Sequence, residues 1–106
     1  MSSSLRVLLS SAATADLQET SLYLLENAGE SISIDFFDAT AETLNLLSAF
    51  PHIGSPLPAE SAFNLLRSIP VSSRFPNWLI FYRVTDDHIE IIRLLRGERD
   101  WRALLS

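Results

Sequence analysis

The sequence predicts an α+β fold in which a helical hairpin packs on a small, largely antiparallel sheet. Two observations lead to this prediction. Apolar residues recur at helical spacing in the first half of the chain, and the second half changes to strand-like runs of aromatic and β-branched residues. The predicted order of elements is β-α-α-β-β-β, and we expect residues 1–106 to form one domain.

The first half predicts one strand and two helices. Residues 5–9 form a short β-rich run, after which Ser10 or Ser11 can cap a helix that Gly29 ends in a left-handed conformation. The second helix begins near Ser31 or Ser33 and stops before the prolines at 51, 56 and 58. The apolar residues that we expect the first helix to bury are Ala13, Leu17, Leu24 and Ala28. Those of the second helix are Ile34, Phe37, Ala41, Leu44 and Leu47.

The second half predicts three strands, over residues 63–71, 77–84 and 88–95, with a turn at 85–87. Pro70 should lie at an edge or a bulge, because it cannot donate a ladder hydrogen bond. Both faces of the last two strands are apolar, yet two helices can cover only one. The other face is either a partner-binding patch or is covered by Trp101, Leu104 and Leu105.

Charge is distributed unevenly along the chain. The net charge is −5 and every basic residue except the histidines is arginine. Residues 1–60 contain Arg6 alone among eight acidic residues, whereas the other seven arginines follow. We expect no direct binding to nucleic acid, because the chain as a whole lacks a basic footprint. A protein partner with either a positive or a negative net charge could bind one end of the molecule.

The sequence argues against several classes of protein, namely disulfide-containing, secreted and membrane-spanning ones. The chain has no cysteine, so it forms no disulfide, and a cytoplasmic location is expected. The apolar run near residues 7–9 is too short for a signal peptide, and no segment is long enough to span a membrane.

Candidate catalytic groups are scarce. His52 and His88 have no companions at metal-ligand spacing, and no nucleophile elbow is present, so we expect neither a cofactor nor a metal. Metal-free RNA cleavage needs a base, an acid and cations. Arginines could supply the charge, but there is no lysine, and Tyr82 is the only tyrosine of the second half. We therefore expect a protein that is not an enzyme.

The arginines permit two interpretations. Arg83 and Arg93 lie within apolar strands, where each can pack its stem on the sheet and pair with a carboxylate such as Glu90. Arg96, Arg99 and Arg102 form either a solvated charged end or a site that captures an acidic segment.

Residues 75–105, "FPNWLIFYRVTDDHIEIIRLLRGERDWRALL", closely resemble the C-terminal hairpin of ParE-type toxins in the RelE/ParE superfamily. "LLSSAATADLQETSLYLLENAG" resembles the family's first helix, and "FPHIGSP" resembles its P-x-x-G turn. The resemblance implies the same β-α-α-β-β-β fold and a toxin of a type II toxin–antitoxin module. The implied partners are a small ParD-like antitoxin, whose C-terminal segment folds on binding, and DNA gyrase as the target.

The resemblance also implies which residues contact a partner or target. Arg83 matches the arginine of the F-Y-R motif, Arg93 the strand arginine, and Arg99 the arginine of R-D. Arg96 stands where ParE-like sequences commonly have histidine, and the lysines and C-terminal tyrosine of RelE nucleases have no counterpart. We expect the binding surface to comprise Arg83, Arg93, Arg96, Arg99, Trp78, Tyr82 and Trp101. The alternatives are a RelE-like mRNA interferase that acts on the ribosome, and a non-toxic remnant that only binds antitoxin.

Overall fold

A computed structural model describes residues 4–57, 65–97 and 105. Two helices, α1 and α2, lie on a five-stranded sheet, as the sequence predicts. The elements are β1 (Arg6–Leu9), α1 (Ser11–Ala28), α2 (Glu30–Ala49), β2 (Ser55–Pro56), β3 (Arg67–Pro70), β4 (Trp78–Val84) and β5 (His88–Arg96).

The sheet is mixed, with the strand order β1-β5-β4-β3-β2. Strand β1 is parallel to β5, and all other neighbours are antiparallel. The β4–β5 hairpin contains an irregularity between Phe81 and Tyr82, where the pairing shifts by one residue. Strand β1 lies directly beside β5, which brings α1 next to Arg93 and Arg96 of that strand.

A single residue connects the two helices. Ser10 caps α1, since its hydroxyl accepts a hydrogen bond from the Ala13 N–H at 3.0 Å. Gly29 then has φ 98° and ψ 167°, so its φ is positive as expected, but its ψ is extended and not left-handed helical. This backbone region is accessible almost only to glycine. It allows α2 to begin at Glu30, earlier than the serines at 31 and 33 suggest.

The predicted buried face of α2 is partly wrong. Ile34 and Phe37 are 51% and 54% exposed, whereas Phe36 is fully buried. Helix α2 carries two apolar stripes, and the one that packs on the sheet includes Thr40, whose hydroxyl donates to the Phe36 carbonyl at 2.9 Å. Because that internal bond satisfies the hydroxyl, threonine can occupy the core. The residues of α2 in the core are Ile32, Phe36, Ala39, Thr40, Leu44 and Leu47.

The strands of the second half agree with prediction except near the loop. The two-residue strand β2 was not predicted, because a proline-containing dipeptide carries no periodic signal. Strand β3 starts at Arg67, later than predicted. Pro70 pairs with Leu79 on one side and lies beyond the two residues that β2 reaches, so its missing N–H breaks no ladder bond.

Both faces of the sheet are covered to different degrees. The helices cover one face, where Phe36, Phe75 and Trp78 make edge-to-face ring contacts. On the other face, Phe81 and Leu95 are buried together with Leu57. The partly buried residues packed against this cluster are Leu66, Leu79 and Leu105. Cover by Trp101, Leu104 and Leu105 was one of the two alternatives for this face; Leu105 packs there, whereas Trp101 and Leu104 lie outside the described residues. No helix among the described residues is long and apolar enough to cross a membrane.

Candidate functional site

The candidate site lies where β5 extends beyond its neighbour β1. The parallel pairing ends at Leu9 opposite Ile91, which leaves the rest of β5 without a strand on that side. Ser10 follows at once: its N–H donates to the Ile91 carbonyl at 3.0 Å and its hydroxyl to the Ile92 carbonyl at 2.8 Å. These contacts direct α1 along the exposed edge of β5, so helix and strand form the two sides of a cleft.

Asp16 joins α1 to this edge. Its carboxylate accepts hydrogen bonds from Arg93 Nε at 2.7 Å and Nη2 at 2.9 Å, in the two-pronged geometry that suits guanidinium. The same carboxylate accepts from the Leu94 N–H at 3.0 Å. Asp16 is only 7% exposed, and the guanidinium of Arg93 compensates the charge of its carboxylate inside the protein. The prediction that Arg93 pairs with a carboxylate is confirmed, although the partner is not Glu90.

The electrostatics of this pair favour the charged arginine. The hydrogen bond that Arg93 donates to Asp16 raises the pKa of Arg93, as do the charges of Asp16 and Glu19, while partial burial acts in the opposite direction. Arg93 therefore stays protonated at every physiological pH. It provides a fixed cation beside the cleft, and its bond to Asp16 of α1 sets the orientation of that cation.

The cleft has a volume of about 450 Å³. Its strand side carries Arg96, whose guanidinium carbon lies 5.2 Å from the centre of the Trp78 ring, within the range of a cation–π contact. Its helix side carries acidic and aromatic groups. The lining residues are Asp16, Glu19, Thr20, Tyr23, Trp78, Leu94, Leu95 and Arg96.

The structure brings together some of the predicted site residues. Trp78 and Arg96 line the cleft, and Arg93 donates a hydrogen bond to Asp16, which also lines it. Arg83 lies five residues further along β4, about 16 Å away, where it forms an exposed ion pair with Glu90 at 2.7 Å, as predicted. Arg99 and Trp101 lie outside the described residues.

Tyr82 was predicted as a contact residue, but it lies in the core. Its side chain is fully buried, and its hydroxyl donates to the Pro51 carbonyl at 2.8 Å while it accepts from the Gly54 N–H at 2.9 Å. A Cβ at position 54 would lie 2.5 Å from that hydroxyl, so only glycine fits there. Tyr82 therefore secures the loop before β2, and a direct contact with a partner is not compatible with this position.

The residues of α1 that line the cleft were not predicted as site residues. They are Asp16, Glu19, Thr20 and Tyr23, which recur at intervals of three or four and so occupy one side of the helix. That spacing was present in the sequence. The missing information was which side of α1 faces β5, and this depends on the parallel pairing of β1 with β5.

The cleft has a mixed lining. It combines two leucines, two aromatic side chains and charges of both signs, and aromatic residues and arginine are enriched at protein interfaces. Neither histidine lines it, and the described residues contain no group of three acidic or histidine side chains that could hold a metal ion. His88 instead hydrogen-bonds through Nδ1 to Asp87 and Thr85 in the β4–β5 turn.

Comparison with solved structures supports the fold. The chain is similar to a structure described as the chromosomal ParDE TA system from P. aeruginosa, with a TM-score of 0.72 and 20% identity, covering 89% of this chain and 97% of that one. It is also similar to the conserved hypothetical protein HP0894 from Helicobacter pylori, with a TM-score of 0.58, 18% identity, and coverage of 90% and 97%. YafQ from E. coli gives a TM-score of 0.52 at 16% identity, with coverage of 96% and 99%. At these identities the likeness concerns the fold.

The family itself is identified from the sequence. No curated protein matches the sequence significantly. Residues 7–101, however, match the family described as the ParE toxin of the type II toxin–antitoxin system parDE. The match begins in β1 and extends beyond β5, so it spans both helices and both sides of the cleft. The chain therefore belongs to the family of ParE toxins of type II toxin–antitoxin systems.

Proposed function

We propose that this protein poisons DNA gyrase and that a small cognate antitoxin neutralises it. The observation that carries the proposal is the match to the ParE toxin family over residues 7–101. The chemistry of the cleft is consistent with it, since a poison acts by binding and needs no acid or base of its own. Gyrase and antitoxin are cytoplasmic proteins, so we expect the toxin to act in the cytoplasm.

The α1–β5 cleft is our proposed binding site. Arg96 and Trp78 present a cation and an aromatic face at its strand side, and such pairs are frequent at the centre of protein interfaces. Arg93 contributes mainly through its bond to Asp16, which holds α1 and β5 together. Arg83, Arg99 and Trp101 remain proposed as contacts with a partner or target. An antitoxin segment with apolar anchors and acidic residues would complement this surface.

Gyrase supercoiling tests the proposed target. Purified toxin is titrated into a reaction that contains gyrase, relaxed plasmid and ATP, and we expect supercoiling to stop at stoichiometric toxin. A sample preincubated with the antitoxin should retain supercoiling. Unchanged supercoiling at concentrations well above those that arrest growth would overturn the proposal.

Cleavage of mRNA on the ribosome is the enzymatic alternative. It would require a base; of the two carboxylates that line the cleft, Asp16 is already bonded to Arg93, which leaves Glu19 for that role. Primer extension on mRNA from translating ribosomes would detect cuts at the A site. We expect none; cuts that depend on the toxin would assign it to the interferases instead.

A pair of charge reversals tests the binding site. Arg96→Glu places a negative charge beside Trp78, whereas Arg6→Glu changes an exposed residue of β1 outside the cleft. We expect Arg96→Glu to weaken antitoxin binding by about a hundredfold, as for a residue at an interface centre, and Arg6→Glu by less than about threefold. Equal losses in a calorimetric titration would show that the interface lies elsewhere.

A further inference from the structure

The outer side of the α1–α2 hairpin carries an unpaired apolar surface. Ser33 Oγ donates to the Ser21 carbonyl at 2.8 Å, so these two serines face each other between the helices. Leu22 and Leu25 follow Ser21 by one and four residues, and Ile34 and Phe37 follow Ser33 by the same steps. They are 55%, 46%, 51% and 54% exposed, respectively. We call these four residues the hairpin patch.

Helix geometry places the four on one side. In each helix the residue three positions after the serine, Leu24 or Phe36, is buried toward the sheet. At 3.6 residues per turn, the residues one and four positions after the serine are rotated from it by about 100° and 40° about the helix axis. The residue three positions after it is rotated by about 300°, which places it on the opposite side of the serine. Because the helices are antiparallel, equal steps along both lead to the same side of the hairpin. The patch therefore faces away from the sheet and away from the α1–β5 cleft.

The surroundings of the patch are strongly acidic. Every charged residue of the two helices is an acid, and no lysine or arginine occurs anywhere between Arg6 and Arg67. Glu26, Glu30 and Asp38 are exposed near the patch. The acidic residues of the two helices are Asp16, Glu19, Glu26, Glu30, Asp35, Asp38 and Glu42. An apolar centre with a border of one sign selects the charge of whatever covers it.

We propose that the hairpin patch binds a cationic amphipathic helix of another protein, in the helix-in-groove mode. The apolar side chains would anchor the nonpolar side of that helix, and its lysines or arginines would reach the surrounding carboxylates. A second copy of this chain is a poorer occupant, because it would bring two acidic hairpins into contact. This surface is separate from the proposed gyrase and antitoxin site, so its test needs no toxic activity.

The probe is an amphipathic peptide of about 18 residues, or five helical turns, made of leucine on one side and lysine on the other. Binding to the full chain is measured by isothermal titration calorimetry. Phe37→Gln should weaken binding about tenfold or more, as for an anchor at an interface centre. Leu46→Gln is the matched control, since Leu46 is 46% exposed in the same helix but lies on another side. It should change binding by less than about twofold.

Two further peptides separate the contributions. One keeps the composition but distributes leucine around the helix, and the other replaces lysine by glutamate; both should bind at least about tenfold more weakly. Equal binding of all three peptides, or equal effects of the two variants, would overturn the proposal. So would sedimentation showing that the wild-type chain forms a dimer that Phe37→Gln dissociates, because the occupant would then be a second copy.

Discussion

At the scale of single residues, Asp16 is the acid on which the cleft depends. Removing its charge by Asp16→Asn leaves the Arg93 guanidinium and the Leu94 N–H poorly satisfied. We expect the free energy of unfolding to fall by about 2–4 kcal/mol, as when one partner of a largely buried ion pair is lost. Urea denaturation measures this loss. Glu90→Gln, which breaks the exposed pair with Arg83, should cost less than about 1 kcal/mol, and equal losses would contradict the assigned role.

Tyr82 gives a second prediction at this scale. Tyr82→Phe removes the acceptor of the buried Gly54 N–H and should cost about 1–3 kcal/mol of unfolding free energy. Burial raises the pKa of Tyr82, against the opposing effects of the Gly54 hydrogen bond and of Arg67. A raised pKa means that the native state prefers the protonated phenol. Its stabilisation is complete below the ordinary tyrosine pKa and is lost as the pH rises through the raised value.

The pH dependence can be measured by comparing unfolding free energies at about pH 8 and about pH 11, on either side of the ordinary tyrosine pKa. The wild type should lose more stability between these values than Tyr82→Phe. A Tyr82→Phe profile identical to that of the wild type would show that the phenol does not govern the alkaline transition.

At the scale of elements, α2 shows what the sequence could not decide. Its two apolar stripes both have helical spacing, and periodicity alone does not reveal which one faces the sheet. The adjacent residues Phe36 and Phe37 provide the test, since one is fully buried and the other 54% exposed. We expect Phe36→Ala to cost about 3–5 kcal/mol and Phe37→Ala less than about 1 kcal/mol. The reverse order in thermal or urea unfolding would restore the prediction from sequence.

The connection between the helices can be tested at Gly29. A Cβ there would meet no atom within 4 Å, so the cost of Gly29→Ala comes only from the positive φ. We expect a loss of about 1–3 kcal/mol of unfolding free energy. Gly97→Ala is the control, because its Cβ would make only ordinary contacts and its φ is not positive; it should be nearly neutral. Equal stability of both variants would mean that the hairpin tolerates another connection.

At the scale of the whole molecule, local signals determined most of the fold. The helix boundaries follow from Ser10, Gly29 and the prolines, and the β4–β5 hairpin follows from its strand-like runs. The cleft depends instead on the parallel pairing of β1 with β5, which joins residues more than 80 positions apart. Nothing in the sequence of α1 marks Asp16 as the partner of Arg93. Of the residues that line the cleft, Trp78 and Arg96 were among the predicted contact residues, whereas those of α1 were not.

We propose that this ParE-family toxin acts on gyrase through the α1–β5 cleft. DNA cleavage by purified gyrase tests both parts of this proposal, in the presence of wild-type toxin, Arg6→Glu or Arg96→Glu, with the linear DNA trapped by detergent and protease. We predict that wild type and Arg6→Glu trap linear DNA equally. Arg96→Glu should require at least about tenfold more protein, since it loses a contact at the centre of the site. No linear DNA with wild-type toxin would contradict the proposed target, and equal activity of all three proteins would contradict the proposed site.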